Sequence, residues 1–350
     1  MDSGRIVVLI PAHNEEEQIG SALRSLQKQS CLPDMVVVVC DNCTDDTAAV
    51  ALARGAMVIN TEGNSHKKAG ALNQALRRVM ADLDDHDTVL VQDADSFLDP
   101  GFIQTASEYL ERGYGGVGGV FRGGPGGGFV GHLQRNEYAR YARDVARLRG
   151  KCLVITGTAA LFRVGVLRQV SAARLAGTLP AGDGQGGIYD TSVLTEDNEL
   201  TFALMHLGHD VISPAACTLE TEVMSTWGGL WKQRLRWKRG AIENCVQYGL
   251  TRVTWKYWGR QLVTMLGTIV SALYLATIAV AVVNGGMQVN AVWLSLSAIF
   301  VVERVATVRY RGWKQMVLAA TMYELILDYF LQACHVMAYA KAALRTSKSW

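Results

Sequence analysis

Asp93-Ala94-Asp95 closes the apolar run Thr88–Gln92. Two carboxylates in a D-x-D turn at a strand end can hold a hard divalent cation, which in turn neutralises a nucleotide diphosphate. The same residues have a plainer use, because Asp95 and Ser96 could cap a helix beginning before Pro100. Asp41 and Asp45 end another apolar run, where they could bond a base and a ribose. Lys68 lies in His66-Lys67-Lys68-Ala69-Gly70 at a helix start, a natural place for a phosphate contact. Thr195-Glu196-Asp197 precedes a helical run and by itself reads as an N-terminal cap, with acids well placed on the helix dipole. Gln233, Arg236 and Trp237 fall on one helical face and bring together an amide, a cation and an aromatic platform. The same stretch also reads as a basic segment at a membrane surface, with Trp231, Trp255 and Trp258 as interfacial anchors.

These groups need a scaffold. Residues 5–10 and 35–40 are short β-branched runs of the kind that fill a parallel sheet covered on both faces. A helix over Glu15–Gln29 separates them. Helix Thr47–Arg54, strand Ala56–Ile59, helix Ala69–Met80 and strand Thr88–Gln92 continue the alternation. That order predicts a doubly wound α/β nucleotide-binding half with ligands at the carboxyl ends of its strands. Those ends are Pro11-Ala12-His13, Asp41-Asn42 and Asp93-Ala94-Asp95, all polar. Ten glycines within Gly113–Gly128 predict a flexible loop, and Leu179–Gly187 predicts a second mobile loop over the site.

With 350 residues, 34 Lys+Arg against 32 Asp+Glu and 49% hydrophobic residues, the chain is neither a disordered tail nor a supercharged nucleic-acid arm. The basic run Lys232–Arg239 is interleaved with tryptophan, but it abuts an apolar segment and no nucleic-acid motif accompanies it, so no nucleic-acid partner is expected. Seven scattered cysteines make no disulfide framework, which points to a reducing environment. Cys40-x-x-Cys43 leaves a redox pair or half a zinc site as the alternative to a ligand-binding loop. Eight basic residues between Gly228 and Arg260 precede 42 residues, Gln261–Val302, free of Asp, Glu, Lys and Arg. Gln261–Val302 is expected to form a membrane hairpin, because three spans would put Lys341, Arg345 and Lys348 opposite the catalytic region, against the positive-inside tendency. Gln315–Ala340 is expected as an interfacial or packed helix. Its stripe of Glu324, Asp328, Gln332 and His335 would face water, the catalytic region or another protomer, and the alternative is a third span that buries the stripe in a bundle.

Taken in order, Pro11-Ala12-His13-Asn14-Glu15-Glu16, Asp41-Asn42-Cys43-Thr44-Asp45-Asp46-Thr47, Lys68-Ala69-Gly70-Ala71-Leu72-Asn73, Asp93-Ala94-Asp95, Thr195-Glu196-Asp197 and Gln233-x-x-Arg236-Trp237 resemble the family 2 inverting glycosyltransferases. Within that family the membrane-embedded cellulose, hyaluronan, chitin and poly-N-acetylglucosamine synthases are the most similar branch. The resemblance covers roughly residues 5–245. It implies a GT-A fold, a UDP-sugar donor and a Mg2+ or Mn2+ ion. By position, Pro11, Ala12, Asn14 and Glu15 fall on the donor side. Asp41 would contact uracil or ribose, Lys68 the diphosphate region, Asp93 the donor and Asp95 the metal, with Asp93 beside it. Asp197 would be the general base, next to Glu196. Gly157 and Thr158 would lie on the acceptor side, and Glu222 also matches. Gln233, Arg236 and Trp237 would close over the diphosphate and the acceptor sugar. Two departures stand out. Cys40 replaces an additional Asp of many relatives, and membrane helices are expected only behind the catalytic region, which argues against a continuous polymer channel.

The expected organisation is a GT-A catalytic domain over 1–227, a basic Trp-rich segment over 228–260 and apolar helices over 261–350. The expected function is transfer of a sugar from a UDP-sugar to a glycan, lipid or protein acceptor at a bilayer, with the catalytic domain cytoplasmic and the C-terminal helices available for homo-oligomer contacts. Chain extension and single-sugar addition both remain open, as does a nucleotide-sugar-binding protein without turnover.

Overall fold

The computed structural model describes residues 4–286 and 291–346, with residues 292, 293 and 296 described by backbone alone. Part of the expected hairpin turn, 287–290, and Lys348 lie outside the described residues. The first half follows the expected alternation: β1 (Ile6–Ala12), α1 (Ile19–Gln27), β2 (Met35–Cys40), α2 (Thr47–Ala53), β3 (Met57–Asn60), α3 (Lys67–Val79) and β4 (Thr88–Gln92). Then come β5 (Ser96–Leu98), α4 (Phe102–Glu111), β6 (Gly116–Gly118), β7 (Val120–Gly123), α5 (Gly128–Arg147), β8 (Ala159–Arg163), α6 (Val164–Leu175), α7 (Glu196–His206), β9 (Val211–Ile212) and β10 (Thr218–Thr221). Helices α8 (Trp227–Tyr248), α9 (Trp255–Val283), α10 (Ala291–Thr307), α11 (Trp313–Ala320) and α12 (Leu325–Ala343) complete it.

The chain forms two compact units: residues up to Pro125 with Asp144–Val223, and Gly126–Arg143 with the residues from Met224 onward. This division differs from the expected boundary at 227. Gly126–Arg143 sits with the later helices because Val130 and Leu133 of α5 pack with Leu230 and Leu327.

In the first unit a seven-stranded mixed sheet has the order β3-β2-β1-β4-β8-β6-β9. The first four strands are parallel and β8 runs against β4. The apolar runs are strands because Val8, Leu9, Ile10, Val38 and Leu90 are fully buried between helix layers, where β-branched and leucine side chains pack well on a pleated surface. A second sheet, β5-β10-β7, pairs Ser96 with Thr221 in antiparallel register. The cap reading of Asp95 is thereby overturned: Ser96 opens a strand, and α4 starts at Phe102 with Gly101 as its N-cap.

The glycine-rich segment is not the expected flexible loop. It holds β6 and β7, because the packing there leaves no room for side chains. A Cβ on Gly119 would lie 2.3 Å from Leu219 Cδ2, one on Gly116 2.7 Å from Ile155 Cδ1, and one on Gly118 2.8 Å from Ile155 Cγ2. The Leu179–Gly187 stretch is irregular but pinned. Arg174 donates to Pro180 O at 2.8 Å and Ile188 O at 3.0 Å, and Asp183 accepts from the backbone N–H groups of Gln185 and Gly187.

In the second unit, α9 is the single described helix long and apolar enough to cross a membrane. Its Val263, Val270 and Leu273 are exposed, as are Ile299, Phe300 and Val302 of α10. The helix expected over Gln315–Ala340 is two helices, α11 and α12, bent by 63° at a break that includes Met322 at φ 58°. Its acidic stripe points into the unit itself. Glu324 pairs with Arg140 and, at 2.9 Å, with Arg304; Arg304 also pairs with Asp328; Gln332 donates to Ser271 Oγ at 3.1 Å. Three carboxylate–guanidinium contacts explain why this face turns inward, since a lone buried carboxylate is costly.

Candidate active site

The register Ala12 to Cys40 brings the ends of β1 and β2 level, and β4 ends beside them. Ala12 O accepts the Asp41 N–H at 2.8 Å. Asp41 is nearly buried, and its Oδ1 accepts from Asn42 Nδ2 at 3.0 Å, Thr61 Oγ1 at 2.8 Å and Asn64 Nδ2 at 2.8 Å. This carboxylate is therefore fixed in orientation before any ligand arrives. Asn14, in the left-handed region at φ 57°, accepts from the Thr44 N–H at 2.8 Å, and the Glu15 N–H donates to Thr47 Oγ1 at 2.8 Å. The Pro11–Glu15 segment thus braces the loop that carries Asp41. All seven cysteines are free. Burial, then Cys43, pushes the Cys40 thiol up to about 12, the opposite of the lowered pKa that a reactive redox cysteine needs.

Asp93 continues β4, where Gln92 pairs with Ala159 and the Asp93 N–H donates to Thr158 O at 2.9 Å. Lys68, from the first turn of α3, donates to the Asp93 carboxylate and to Gly157 O at 3.0 Å, and stands 3.5 Å from Glu196. Burial opposes its charge, but the carboxylates of Asp93 and Glu196 hold it above the ordinary lysine range. Lys68 accordingly stands as a cation among acids, at the place where the sequence expects a contact to the diphosphate.

Thr195 makes no capping hydrogen bond to α7. Asp197 instead accepts from the Gly157 N–H at 2.9 Å and from the Asn198 N–H at 2.7 Å. The residue expected as base and the segment expected on the acceptor side are joined directly. Burial, then the neighbouring Glu196, raises the Asp197 carboxyl to about 6.

The antiparallel pairing of Ser96 with Thr221 carries Glu222 toward Asp95. Burial, then Asp93, raises the Asp95 carboxyl to about 6, and burial, then Asp95 and Glu222, raises Glu15 to about 7. Part of the rise at Glu15 and Asp95 comes from the negative charge of the neighbouring carboxylates, a repulsion that a cation would relieve. Among the described residues no three His, Cys, Asp or Glu side chains converge as a complete metal cage. One or two carboxylates sharing an ion with substrate phosphates is the usual Mg2+ arrangement, so Asp95 and Asp93 fit a metal that arrives with a diphosphate.

Gln233, Arg236 and Trp237 lie in the second unit on α8. Their spacing does share a face, but one face of the Trp237 ring carries the Arg234 guanidinium at 4.5 Å, which itself pairs with Glu137 at 2.8 Å. Several structural partners had no sequence signal. Arg174 and Glu199 form a wholly buried ion pair at 2.6 Å that ties α6 to α7. Thr61 and Asn64 orient Asp41 from a loop that carried no motif. Asn73 was visible as the end of the Lys68–Asn73 motif, though its role was not.

Residues 4–240 match a family model described as glycosyltransferase like family 2. The poly-beta-1,6-N-acetyl-D-glucosamine synthase of Staphylococcus aureus (strain COL) is 26% identical over 251 residues, covering 68% of this chain and 55% of its own length. The synthase of Staphylococcus epidermidis is 25% identical over 248 residues with the same coverage. The match thus spans about half the length of these curated relatives. Among solved structures, the mannosyltransferase PcManGT from Pyrobaculum calidifontis, in complex with GDP-Man and Mn2+, reaches a TM-score of 0.62 at 18% identity over 98% of this chain and 88% of that one. The likeness of fold extends from the mixed GT-A sheet through the C-terminal helices.

Proposed function

Because the chain belongs to glycosyltransferase family 2, we propose that it moves a sugar from a UDP-sugar to an acceptor hydroxyl at a membrane surface, with inversion and with a Mg2+ or Mn2+ ion. The observation that carries this reading is the Asp197 carboxylate held on the Gly157 N–H, beside the Lys68 bracket that reaches Asp93. Asp197 takes the proton of the acceptor hydroxyl. The freed oxygen bonds to the anomeric carbon from the side opposite the diphosphate, the carbon–oxygen bond to the diphosphate breaks, and its electron pair leaves with UDP. Lys68 offsets the charge of Asp93 and Glu196 and, by its own charge, favours the ionised form of Asp197. Asp41, fixed by Thr61 and Asn64, binds the base or ribose. Asp95 and Asp93 hold the metal, and a bound ion would supply positive charge to the leaving diphosphate. Gln233, Arg236 and Trp237 serve the diphosphate and the acceptor sugar.

Likeness to poly-N-acetylglucosamine synthases and the Q-x-x-R-W motif support chain extension. Single addition to a lipid or protein acceptor is the alternative. The exposed apolar surface of α9, behind the basic residues of α8, supports insertion in a bilayer with the catalytic unit cytoplasmic. The full chain in detergent, incubated with UDP-glucose, UDP-N-acetylglucosamine or GDP-mannose and Mn2+, should release a nucleoside diphosphate from a uridine donor, and EDTA should stop it. Product length separates extension from single addition. No release from any donor, with acceptor sugars and lipids supplied, would rule out the transferase reading.

A further inference from the structure

Behind the base, Asn73 and Tyr189 make a contact that none of the chemistry above uses. Asn73 lies inside α3 and is 2% exposed. Its Nδ2 donates to Tyr189 O at 2.8 Å, and its Oδ1 accepts from Tyr189 N at 2.9 Å. One side-chain amide that takes both main-chain groups of a residue fixes that residue's position and orientation together, as a neighbouring strand would. The Tyr189 ring is buried and, with Lys68, Gly157, Glu196 and Asp197, lines a cavity of about 10 Å³, close to the space of one water. Helix α3 therefore grips the site twice: Lys68 holds Asp93 and Gly157 at its start, and Asn73 holds the ring behind Asp197 further along. The stretch leading to Tyr189 is gripped from elsewhere as well, by Arg174 at Pro180 and Ile188.

Resting on the reading of Asp197 as base, we propose that Asn73 is a positioning residue for it: the clamp on Tyr189 makes the tyrosine ring the back wall of the base's cavity and keeps the Asp197 carboxylate on the Gly157 N–H. With the wall displaced, water fills the enlarged cavity and the carboxylate turns away from Gly157. The donor contacts at Asp41 and Asp95 stand on other strand ends and are untouched.

Three variants of the full chain in detergent test this: Asn73→Ala, Tyr189→Leu and Tyr189→Phe. The first two should lose about 10–100-fold in kcat, the scale set by a misplacement near 1 Å, while UDP affinity in Mn2+ stays within about twofold. Tyr189→Phe keeps the ring and should retain kcat within about threefold. Hydrogen exchange gives a readout independent of turnover: peptides over 154–159 and 188–200 should exchange about tenfold faster in the first two variants, and peptides over 6–12 and 35–41 should not. Tyr189→Leu leaves the backbone clamp intact, so it decides the matter if Asn73→Ala fails to fold. Wild-type kcat in Tyr189→Leu, unchanged exchange at 154–159, or a loss of UDP affinity equal to the loss of kcat overturns the proposal. If Asp197→Asn also turns over normally, the reading of the base has failed separately; if the wild type itself is silent, exchange at 154–159 still decides the clamp.

Discussion

The Gly157 N–H points at Oδ2 of Asp197 across 2.9 Å. The Gly157 backbone thus holds the carboxylate proposed as the base, and the hydrogen bond favours its ionised form. Asp197→Asn preserves the size of the side chain and removes its proton affinity. UDP binding should persist, and transfer should fall about 100-fold or more. Released UDP and calorimetric UDP titration measure the two quantities, and normal turnover in the variant would refute the assignment.

Asp95 ends at a strand, not a helix cap, so its loss should act through the metal. Asp95→Ala should weaken UDP binding in Mn2+ and leave binding in EDTA unchanged. A loss of about 1 kcal/mol in stability with no metal dependence of binding would instead mark a purely structural residue.

The Asp197 carboxyl is raised to about 6, and a base works only deprotonated, so kcat should climb with pH through about 6 and level off above 7. Stability has the opposite sign. Glu15, raised by burial from 4.5 to about 7, binds its proton more tightly in the folded chain than in the unfolded one. That stabilisation is fully present below 4.5 and is lost as pH rises through about 7. In metal-free buffer Glu15→Gln should therefore gain stability over wild type between about pH 5 and 8, by about 1 kcal/mol once solvent screening is discounted. Thermal unfolding across that range tests the sign, and a constant difference would contradict it.

Gly119 has no space for a methyl group, because its Cβ would meet Leu219 Cδ2 at 2.3 Å. Gly119→Ala should cost about 1–3 kcal/mol, whereas Gly228→Ala, in open space on α8, should be neutral or stabilising by up to about 1 kcal/mol. Melting temperatures separate these outcomes, and a neutral Gly119→Ala would mean that β6 and β7 are not packed as described.

Glu324 is 1% exposed between Arg140 and Arg304. Glu324→Leu alone should cost about 3–5 kcal/mol because both guanidinium groups lose their shared partner, and adding Arg304→Met should restore part of the loss. Additive effects in detergent melts would show that the pair does not interact.

What the sequence disclosed follows from the range of the forces involved. Val36–Val39 or Val89–Val91 can hardly be anything but buried strands, and Asp93-Ala94-Asp95 advertises its strand end locally. The glycine segment was misread because its order depends on Leu219, Ile155 and Phe162, which are distant in the chain. Gly126–Arg143 was placed with the catalytic part for the same reason, as its partners Leu230 and Leu327 come far later. Arg174 and Glu199 each look like ordinary helix residues until folding brings them face to face.

Gly126–Arg143 interrupts the first unit and belongs to the second, which sets an order on the ribosome. The early strands emerge first, then a helix whose Val130, Leu133, Asn136 and Arg140 have nothing yet to meet. The catalytic unit can close once Val223 has emerged, but Glu324 arrives about 180 residues after Arg140, roughly 10–40 s at ordinary elongation speeds. During that interval the orphaned segment is a surface for chaperones or bilayer. A chain released at residue 240, where the family match ends, would cover it only in part, with Leu230 but without Tyr323, Glu324 and Leu327. Soluble expression of the catalytic unit alone therefore calls for excising 126–143 and bridging the gap, rather than for cutting off the tail.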